Sequence, residues 1–532
     1  MIKTNKIYIM KTLFYILITF LSISISSCNK EDNVSKTPPK TPTEIPDTIK
    51  IKILEGPYLI KPGNTTMNIR WELPDTLMDY SVEYGIDTVT SSIKRLNFKK
   101  SMNGTFILDA NLTELQEGET YFYRITTTGG IKQKWNTFKT YTKNQDKFTF
   151  VAMGDSRSNP RIFSQIMNNA SNTSPDLIVS VGDLVIKGGN YSEWGKYFFA
   201  PASKYITSIP FASTLGDHET ELDNGALFNY FLMDNEPVKE QWFSFDYGNA
   251  HFISLDYREA DSKDMQDWFT EDVAKANKKW NFVIMHRPVY NFGGHRSSWG
   301  MSTWSKLFQS SNIDIVFAGH SHLYERFYPV RPDNTTGHAV TYVTSGGAGA
   351  ELYEAVTEST IMPVSESVNH LITVQIDNNT LKYTATRIDG SILDNFEIVK
   401  NGDNYNSEYE NEMISRSWLN TLCSFNSEIS DDMDVLPTDN APGILTIGLK
   451  LYLPDDLPIK IELNGNTDVY GMETIETTLK SHTVKNYRIE IKKKGNFKVE
   501  HAKLVPELRL KLTYDYNNQK KSIVGGAVYY WK

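Results

Sequence analysis

The chain has 532 residues, which is too long for one hydrophobic core and indicates about two to four domains. Hydrophobic residues make up 40% and aromatic residues 12%, which excludes a largely disordered chain, and the net charge of −9 argues against a nucleic-acid partner. The only cysteines are Cys28 and Cys423, too few for a disulfide framework or a zinc–thiolate site.

The N-terminal residues have the pattern of a secretory signal. Three lysines precede the apolar run 12–21, and small residues follow as far as Cys28. This pattern predicts a signal peptide over residues 1–28, because the apolar run is too short for a stable membrane span.

The end of this signal resembles a bacterial lipobox, Ile-Ser-Ser-Cys, in which the cysteine is acylated and becomes the mature N-terminus. A plain signal peptide with a chance cysteine is the alternative. Residues 29–32 resemble a signal that sends lipoproteins to the cell surface. We therefore expect an outer-membrane lipoprotein, attached to the membrane through Cys28 and exposed on the cell surface, with the periplasmic face as the alternative.

Residues 29–50 are rich in lysine, threonine and proline and predict an extended tether. Residues 51–142 alternate short β-rich runs with turns, which predicts an antiparallel β-sandwich. This region resembles a fibronectin type III domain, because Trp71 matches its core tryptophan and Tyr121, preceded by two leucines, matches its tyrosine corner. Four predicted strands support this: residues 67–71, 80–84, 104–108 and 120–125.

Residues 147–399 change to apolar strands alternating with helical stretches, such as residues 264–277. Near-continuous apolar strands separated by helices predict an α/β domain with buried sheets. The predicted strands are residues 148–153, 177–181, 282–285 and 313–318, with closing antiparallel strands at 370–375 and 381–386.

Residues 402–440 are polar and acidic, and a β-rich block follows. Within residues 410–532 the block predicts a second β-sandwich of unknown role. Its strands are expected at residues 444–448, 459–463, 487–491, 508–512 and 527–531. The aromatic end of the last strand could stack on a sugar, but packing within its own sheet is the simpler interpretation.

Five turns of the central region carry metal-ligand side chains, and each follows an apolar strand. Aspartate and histidine supply the oxygen and nitrogen ligands that such ions prefer. The glycine before the ligand in four of the turns is expected to allow a sharp bend beside a metal. The ligand-type residues are Asp155, Asp183, Asp217, His286, His320 and His322.

These turns resemble those of the calcineurin-type metallophosphoesterases, and most closely those of the purple acid phosphatases. Residues 245–253, 285–288 and 315–326 extend the resemblance, which covers residues 55–399. It implies two packed β-sheets flanked by helices, and hydrolysis of a small-molecule phosphate ester.

The resemblance also implies two divalent or trivalent metal ions, of iron, manganese or zinc. One ion would be held by Asp155, Asp183 and His322. The other would be held by Asp217, His286 and His320, together with Asp183 as the bridge. His218 would lie beside them as the acid that protonates the leaving oxygen, or as a hydrogen-bond donor to the phosphate.

Three positions depart from the family pattern. Arg157 stands where the family usually has histidine or glycine, Ile186 where it has tyrosine, and Asp217 where it has asparagine. Arg157 could bind the phosphate with its planar guanidinium group, a catalytic role, or form a salt bridge to a neighbouring carboxylate. Because isoleucine cannot ligate iron, we expect a colourless protein, and Tyr191 is the first candidate ligand if it is purple.

Hydrolysis of phosphate monoesters is the favoured function. A phosphodiesterase or nucleotidase activity is the first alternative, because the same site chemistry serves both. A non-catalytic surface lipoprotein that binds glycans or other ligands is the second. Specificity is expected to lie in the loops 291–299 and 346–353.

Overall fold

The structure is a computed structural model. It describes residues 51–74, 79–96, 98–127, 130–233, 242–330, 338–355, 362–400, 424–425, 443–451, 456–464, 467, 470–480, 483–494, 509–516 and 519–525. The predicted signal peptide with Cys28, the tether 29–50 and the strand 527–531 lie outside the described residues. Within the described part, no helix combines the length and the apolar character needed to cross a membrane.

The first domain is built from two four-stranded antiparallel sheets, ordered β1-β2-β6-β5 and β4-β3-β7-β8. Buried side chains of both sheets form one core around Trp71, as expected of a β-sandwich. The Tyr121 hydroxyl accepts the backbone N–H of Gln116 at 2.8 Å, the contact expected of a tyrosine corner, while the fibronectin type itself stays a prediction. The strands are β1 Tyr58–Ile60, β2 Met67–Leu73, β3 Tyr80–Gly85, β4 Ser92–Arg95, β5 Phe98–Met102, β6 Thr105–Leu112, β7 Thr120–Thr127 and β8 Asn136–Lys139.

The β-sandwich is joined to the central domain by buried hydrogen bonds. The Tyr58 hydroxyl donates to the carbonyl oxygen of Phe231 at 2.7 Å, and Arg70 donates to the same oxygen at 2.9 Å. The Tyr123 hydroxyl donates to the carbonyl oxygen of Thr207 at 2.7 Å. Because buried polar groups are costly to leave unpaired, these bonds hold the two domains in one arrangement.

The central domain contains a six-stranded sheet, β11-β10-β9-β19-β20-β21, and a seven-stranded sheet, β12-β13-β14-β15-β17-β16-β18. In the first sheet β9, β10 and β11 are parallel, and in the second β13, β14, β15 and β17 are parallel. The strands are β9 Lys147–Met153, β10 Leu177–Ser180, β11 Phe211–Ser213, β12 Phe243–Tyr247, β13 Ala250–Ser254, β14 Trp280–Ile284, β15 Ile315–Ala318, β16 Tyr324–Arg326, β17 Thr341–Ser345, β18 Val364–Glu366, β19 His370–Asp377, β20 Thr380–Arg387 and β21 Ile392–Val399.

The two sheets pack face to face through aromatic side chains. Phe150 of the first sheet contacts Phe252 and Phe282 of the second, both at 5.0 Å between ring centroids. The next residue, Val151, points to the opposite face, where it packs with Phe163 of a helix. Each sheet is therefore buried on both faces, as its continuous apolar strands predict.

Helices cover the outer faces of the two sheets, so the predicted α/β arrangement is confirmed. The first helix begins with Pro160 and is capped by the Asn159 side chain, which accepts the N–H of Ile162. The predicted helix 264–277 is observed as Lys263–Ala276. The helices are α1 Pro160–Asn172, α2 Tyr191–Glu193, α3 Ala200–Ile206, α4 Asp217–Thr220, α5 Ala226–Leu232, α6 Lys263–Ala276 and α7 Met301–Ser310, with a π-helical segment at Trp194–Phe199.

A further β-rich region follows, with sheets ordered β22-β23-β27-β25 and β26-β24-β28-β29. Both sheets contribute buried apolar side chains, and the sandwich arrangement stays a prediction. The described strands are β22 Ser424–Phe425, β23 Gly443–Lys450, β24 Leu457–Asn464, β25 Tyr470–Gly471, β26 Ile475–Leu479, β27 Val484–Lys493, β28 Arg509–Tyr516 and β29 Gln519–Gly525.

Candidate metal centre

All six predicted ligands lie just beyond the carboxyl ends of parallel strands. Asp155, Asp183 and Asp217 follow β9, β10 and β11 of the first sheet, while His286 follows β14 of the second. His320 and His322 follow β15. Because the carboxyl ends of parallel strands meet at one edge, the two packed sheets bring these side chains together.

The sharp turns at this edge depend on the ligand residues more than on the glycines before them. Asp155, Asp183 and His320 have φ values of 56°, 58° and 66°, in the left-handed region that is unfavourable for these side chains. Of the four glycines, only Gly182 has a positive φ, 95°. The expectation that each of the four glycines makes the bend is therefore wrong. At Gly319 a glycine is needed for another reason, because a Cβ atom there would lie 2.4 Å from a carboxylate oxygen of Asp155.

Asp217, His286 and His320 place their ligand atoms within 4.8 Å of one another. The Nδ1–H of His286 donates to the carbonyl oxygen of Val181 at 2.9 Å, so that Nε2 is the ring nitrogen directed into the centre. That Nε2 atom is buried and faces the carboxylates of Asp217, which it contacts directly, and of Asp183, at 3.4 Å. A ring nitrogen directed at two carboxylates needs a positive charge between them, either a proton or a metal ion, so the three residues could hold a cation.

Negative charge dominates this position. Burial by itself lowers the pKa of His286, but the carboxylates of Asp183, Asp217 and Asp155 outweigh it and raise that pKa to about 10. Burial acts to raise the pKa of Asp217, whereas its hydrogen bonds with His286 and His320 lower it well below the usual value. The carboxylates therefore hold a proton on the imidazole, and a metal ion would replace that proton, because a ligand histidine is neutral.

Two of the three predicted ligands of the other ion, Asp183 and His322, contact the guanidinium group of Arg157. Its Nε–H donates to Asp183 Oδ2 at 3.2 Å, and its Nη2 lies 3.3 Å from His322 Nε2. His322 Nδ1 lies 2.6 Å from the carbonyl oxygen of Glu351 and must carry the proton, so Nε2 accepts from Arg157. Asp155, fully buried, lies 3.5 Å from the same Nε2. The structure thus shows the salt bridge, the second of the two roles considered for Arg157.

His218 lies beside the bridging carboxylate. Its Nδ1 is 2.6 Å from the carbonyl oxygen of Ile186 and donates to it, while Nε2 lies 3.9 Å from Asp183 Oδ2. Its backbone N–H donates to Asp183 Oδ1 at 3.1 Å. The Nε2 atom is therefore directed toward the centre, where it could hold a proton for a leaving oxygen.

Glu219 supports the centre and is not among the residues predicted to have a role there. Its buried carboxylate accepts the backbone N–H groups of Asp183, Leu184 and Gly216 at 2.7–2.9 Å, which ties together the turns after β10 and β11. Burial, and then the charge of Asp183, raise the pKa of Glu219 to about 8. The available signal was its position two residues after Asp217 in the same turn.

Three further residues at the centre were not predicted individually. His295 stacks on His320, with ring centroids 5.3 Å apart, and Tyr353 stacks on His322 at 4.1 Å. Both come from the loops that were expected to hold specificity. Arg287 Nη2 lies 3.4 Å from Asp217 Oδ2. Arg287 belongs to the stretch 285–288, one of those that resemble the family.

Tyr191 does not reach the centre. Its hydroxyl donates to Glu72 Oε2 of the first domain at 2.7 Å. Tyr191 is therefore not placed to take over the iron-binding role of the tyrosine that Ile186 replaces. Tyr353, stacked on His322, and Tyr257, whose ring centroid lies 6.0 Å from that of His286, are tyrosines beside the centre.

Residues 148–324 match the sequence family described as calcineurin-like phosphoesterase, and residues 56–140 match the N-terminal domain of purple acid phosphatases. The described strands β1–β8 fall within the second match and β10–β15 within the first, which also overlaps β9 and β16 at its ends. Residues 56–324 are thus similar to the two domains of a purple acid phosphatase.

The relatives of this chain are distant. A mouse protein named acid phosphatase type 7 is 25% identical over 293 residues, which cover 46% of this chain and 65% of that protein. Purple acid phosphatase 5 of Arabidopsis thaliana is 25% identical over 262 residues, covering 47% and 61%. The chain thus spans about six tenths of the length of these relatives.

The fold is shared with a solved purple acid phosphatase from yellow lupin seeds. The TM-score is 0.57 at 18% identity, and the alignment covers 64% of this chain and 74% of the lupin chain.

Asp217, His286 and His320 fit a metal ion, because the buried His286 Nε2 atom, once it gives up its proton, and the facing carboxylates supply neutral nitrogen and anionic oxygen ligands. The fit is poorer at Asp155 and His322, where hydrogen bonds to Arg157 occupy the His322 nitrogen and one Asp183 oxygen.

Proposed function

We propose that the chain is a metal-dependent hydrolase of phosphate monoesters. The observation that carries this proposal is the convergence of Asp217, His286 and His320, whose ligand atoms lie within 4.8 Å of one another, with His218 directed at the same point. The names of the mouse and Arabidopsis relatives, an acid phosphatase and a purple acid phosphatase, support a monoester substrate.

In this proposal the ion supplies Lewis-acid polarisation of the phosphoryl group and activation of a water molecule. The residues of the chain do the rest. Arg157 and Arg287 hold positive charge beside the carboxylates, where a phosphate dianion would otherwise be repelled. His218, fixed through Nδ1 by the Ile186 carbonyl oxygen, delivers a proton from Nε2 to the leaving oxygen.

The substrate class is tested with a panel of chromogenic monoesters and diesters, measured with Mn²⁺, Zn²⁺ and Fe²⁺ while bound metal is analysed on the same sample. We expect monoesters to be hydrolysed faster than diesters. Faster diester hydrolysis would favour the phosphodiesterase or nucleotidase alternative. Bound metal without turnover of either class would favour the non-catalytic binding protein, to which the replaced residue at Arg157 lends support.

We also propose that the enzyme is a lipoprotein of the outer membrane, held through Cys28 and facing the cell surface. The support is the sequence alone: the signal pattern of residues 1–28 and the polar residues 29–32 that follow. Cys28→Ser should move the protein from the membrane fraction to the soluble fraction, because its lipid attachment is lost. Recovery of the variant in the membrane fraction would count against the anchor, and protease accessibility on intact cells distinguishes the surface from the periplasmic face.

A further inference from the structure

We infer that the guanidinium group of Arg157 takes the place of the first metal ion, so that the centre holds one ion, at Asp183, Asp217, His286 and His320. This inference rests on the proposed function for its catalytic meaning, but it concerns the composition of the centre. It departs from the two-ion centre that the family resemblance implies.

The ligand atoms on the Arg157 side of the centre already accept hydrogen bonds. His322 has one free lone pair, on Nε2, because its Nδ1 carries the proton that the Glu351 carbonyl oxygen accepts. That lone pair already accepts a hydrogen bond from Arg157 at 3.3 Å. Asp183 Oδ2 accepts the Arg157 Nε–H at 3.2 Å. An ion in this place would need both atoms, and it would have to displace a charged donor from each.

His286 can bind only one ion. Within the described residues, a second group whose ligand atoms lie within 4.8 Å of one another consists of Asp155, Asp183 and His286. It shares His286 with the group formed by Asp217 and His320. Since His286 Nδ1 is bonded to a backbone carbonyl oxygen, the ring offers one lone pair, and one ion can use it. The two groups therefore cannot each hold an ion with three protein ligands.

The balance of charge at the centre also favours a single ion. The carboxylates that could reach an ion are those of Asp155, Asp183 and Asp217. The guanidinium groups of Arg157 and Arg287 contact two of these carboxylates and already offset two of the three negative charges, so one divalent ion is enough to neutralise the rest. A second divalent ion would leave a buried excess of positive charge beside Arg157, and unbalanced charge in a site shielded from water is unfavourable.

The Arg157 side chain is held in place. Its backbone N–H donates to the carbonyl oxygen of Asp183 at 3.0 Å, and the side chain is 16% exposed. Tyr353, stacked on His322, also lies near Arg157. The guanidinium group is thus enclosed by three residues of the centre. Asp183 bridges it to the ion, with Oδ2 on Arg157 and Oδ1 toward His286.

The test is the number of ions that the full-length protein binds. The wild type and Arg157→Ala are saturated with Mn²⁺, freed of loosely bound ion, and analysed for metal per chain. We expect one ion in the wild type and two in Arg157→Ala, because removal of the guanidinium frees Asp183 Oδ2 and His322 Nε2. Arg161→Ala, which removes an exposed arginine of α1, is the matched control and should stay at one ion.

A spectroscopic measurement needs no variant. Mn²⁺-loaded wild type should give the six-line electron paramagnetic resonance spectrum of an isolated ion, and an exchange-coupled signal would overturn the inference. Zero or two tightly bound ions in the wild type would also overturn it, as would one ion in Arg157→Ala or two in the control.

The outcome is separable from that of the proposed function. A wild type with one ion and no turnover of any ester would defeat the proposed function and leave this inference standing. A wild type with two ions and good turnover would do the reverse.

Discussion

The two sides of the metal centre have the same kinds of ligand but differ in what lies between them. On one side the ligand atoms of Asp217, His286 and His320 lie within 4.8 Å of one another. On the other side Asp183 and His322 hydrogen-bond to the side chain of Arg157. A carboxylate–imidazole pocket can thus be completed by a metal ion or by a cationic side chain of the same chain. Counting ligand-type residues therefore does not give the number of ions.

Removal of one histidine from each side tests whether only one side binds an ion. His286→Ala should lose the bound ion and bring hydrolysis to background, because no neighbouring nitrogen can replace Nε2. His322→Ala should retain the ion, since its Nε2 is bonded to Arg157. Metal content after gel filtration checks both variants. Equal loss of metal in the two would mean that both sides bind ions.

His218 tests whether the centre carries out chemistry as well as binding. His218→Asn should keep the metal content of the wild type and lower kcat roughly 10²–10⁴-fold, the range typical of a positioned acid or base. Esters with good leaving groups need less protonation and should lose less. If alkyl and nitrophenyl esters were affected equally, His218 would have a structural role only.

Substitution of Glu219 tests the hydrogen bonds that hold the turns after β10 and β11 together. Glu219→Gln should lower the free energy of unfolding by about 1–3 kcal/mol. The side-chain amide nitrogen of the glutamine would face backbone N–H groups that now donate to the carboxylate. Metal affinity should fall roughly 10- to 100-fold, as for other residues that orient ligands. Calorimetric unfolding and metal titration measure the two effects.

Glu271→Gln, an exposed position on α6, is the control for Glu219→Gln. It should match the wild type in both stability and metal affinity. The same loss in both variants would mean that the buried contacts of Glu219 are not its cause.

The smallest expected effect is spectroscopic. Iron-loaded, oxidised wild type should show no intense purple band, because Ile186 has no lone pair and the Tyr191 hydroxyl is bonded to Glu72. The visible spectrum checks this directly. An intense band that disappeared in Tyr353→Phe would show that Tyr353 had displaced Arg157 from the first position.

Much of the centre could be predicted from sequence because its ligands follow a local rule. Asp155, Asp183 and His286 each come just after an apolar strand, and the carboxyl ends of parallel strands meet at one edge. The alternation of apolar strands and helices predicted the α/β domain for a similarly local reason, since buried strands are apolar on both faces. No such rule identified the role of the last β-rich region.

The partners of individual side chains depended on contacts between residues far apart in the chain. Arg157 meets His322 across 165 positions, and Glu219 meets Asp183 across 36, so no local pattern reports either contact. His295 and Tyr353 reach the centre from loops whose conformation depends on the strands beneath them. The residue types at the centre follow from local sequence, whereas the choice between an ion and a guanidinium group follows from which hydrogen bonds the folded chain can close.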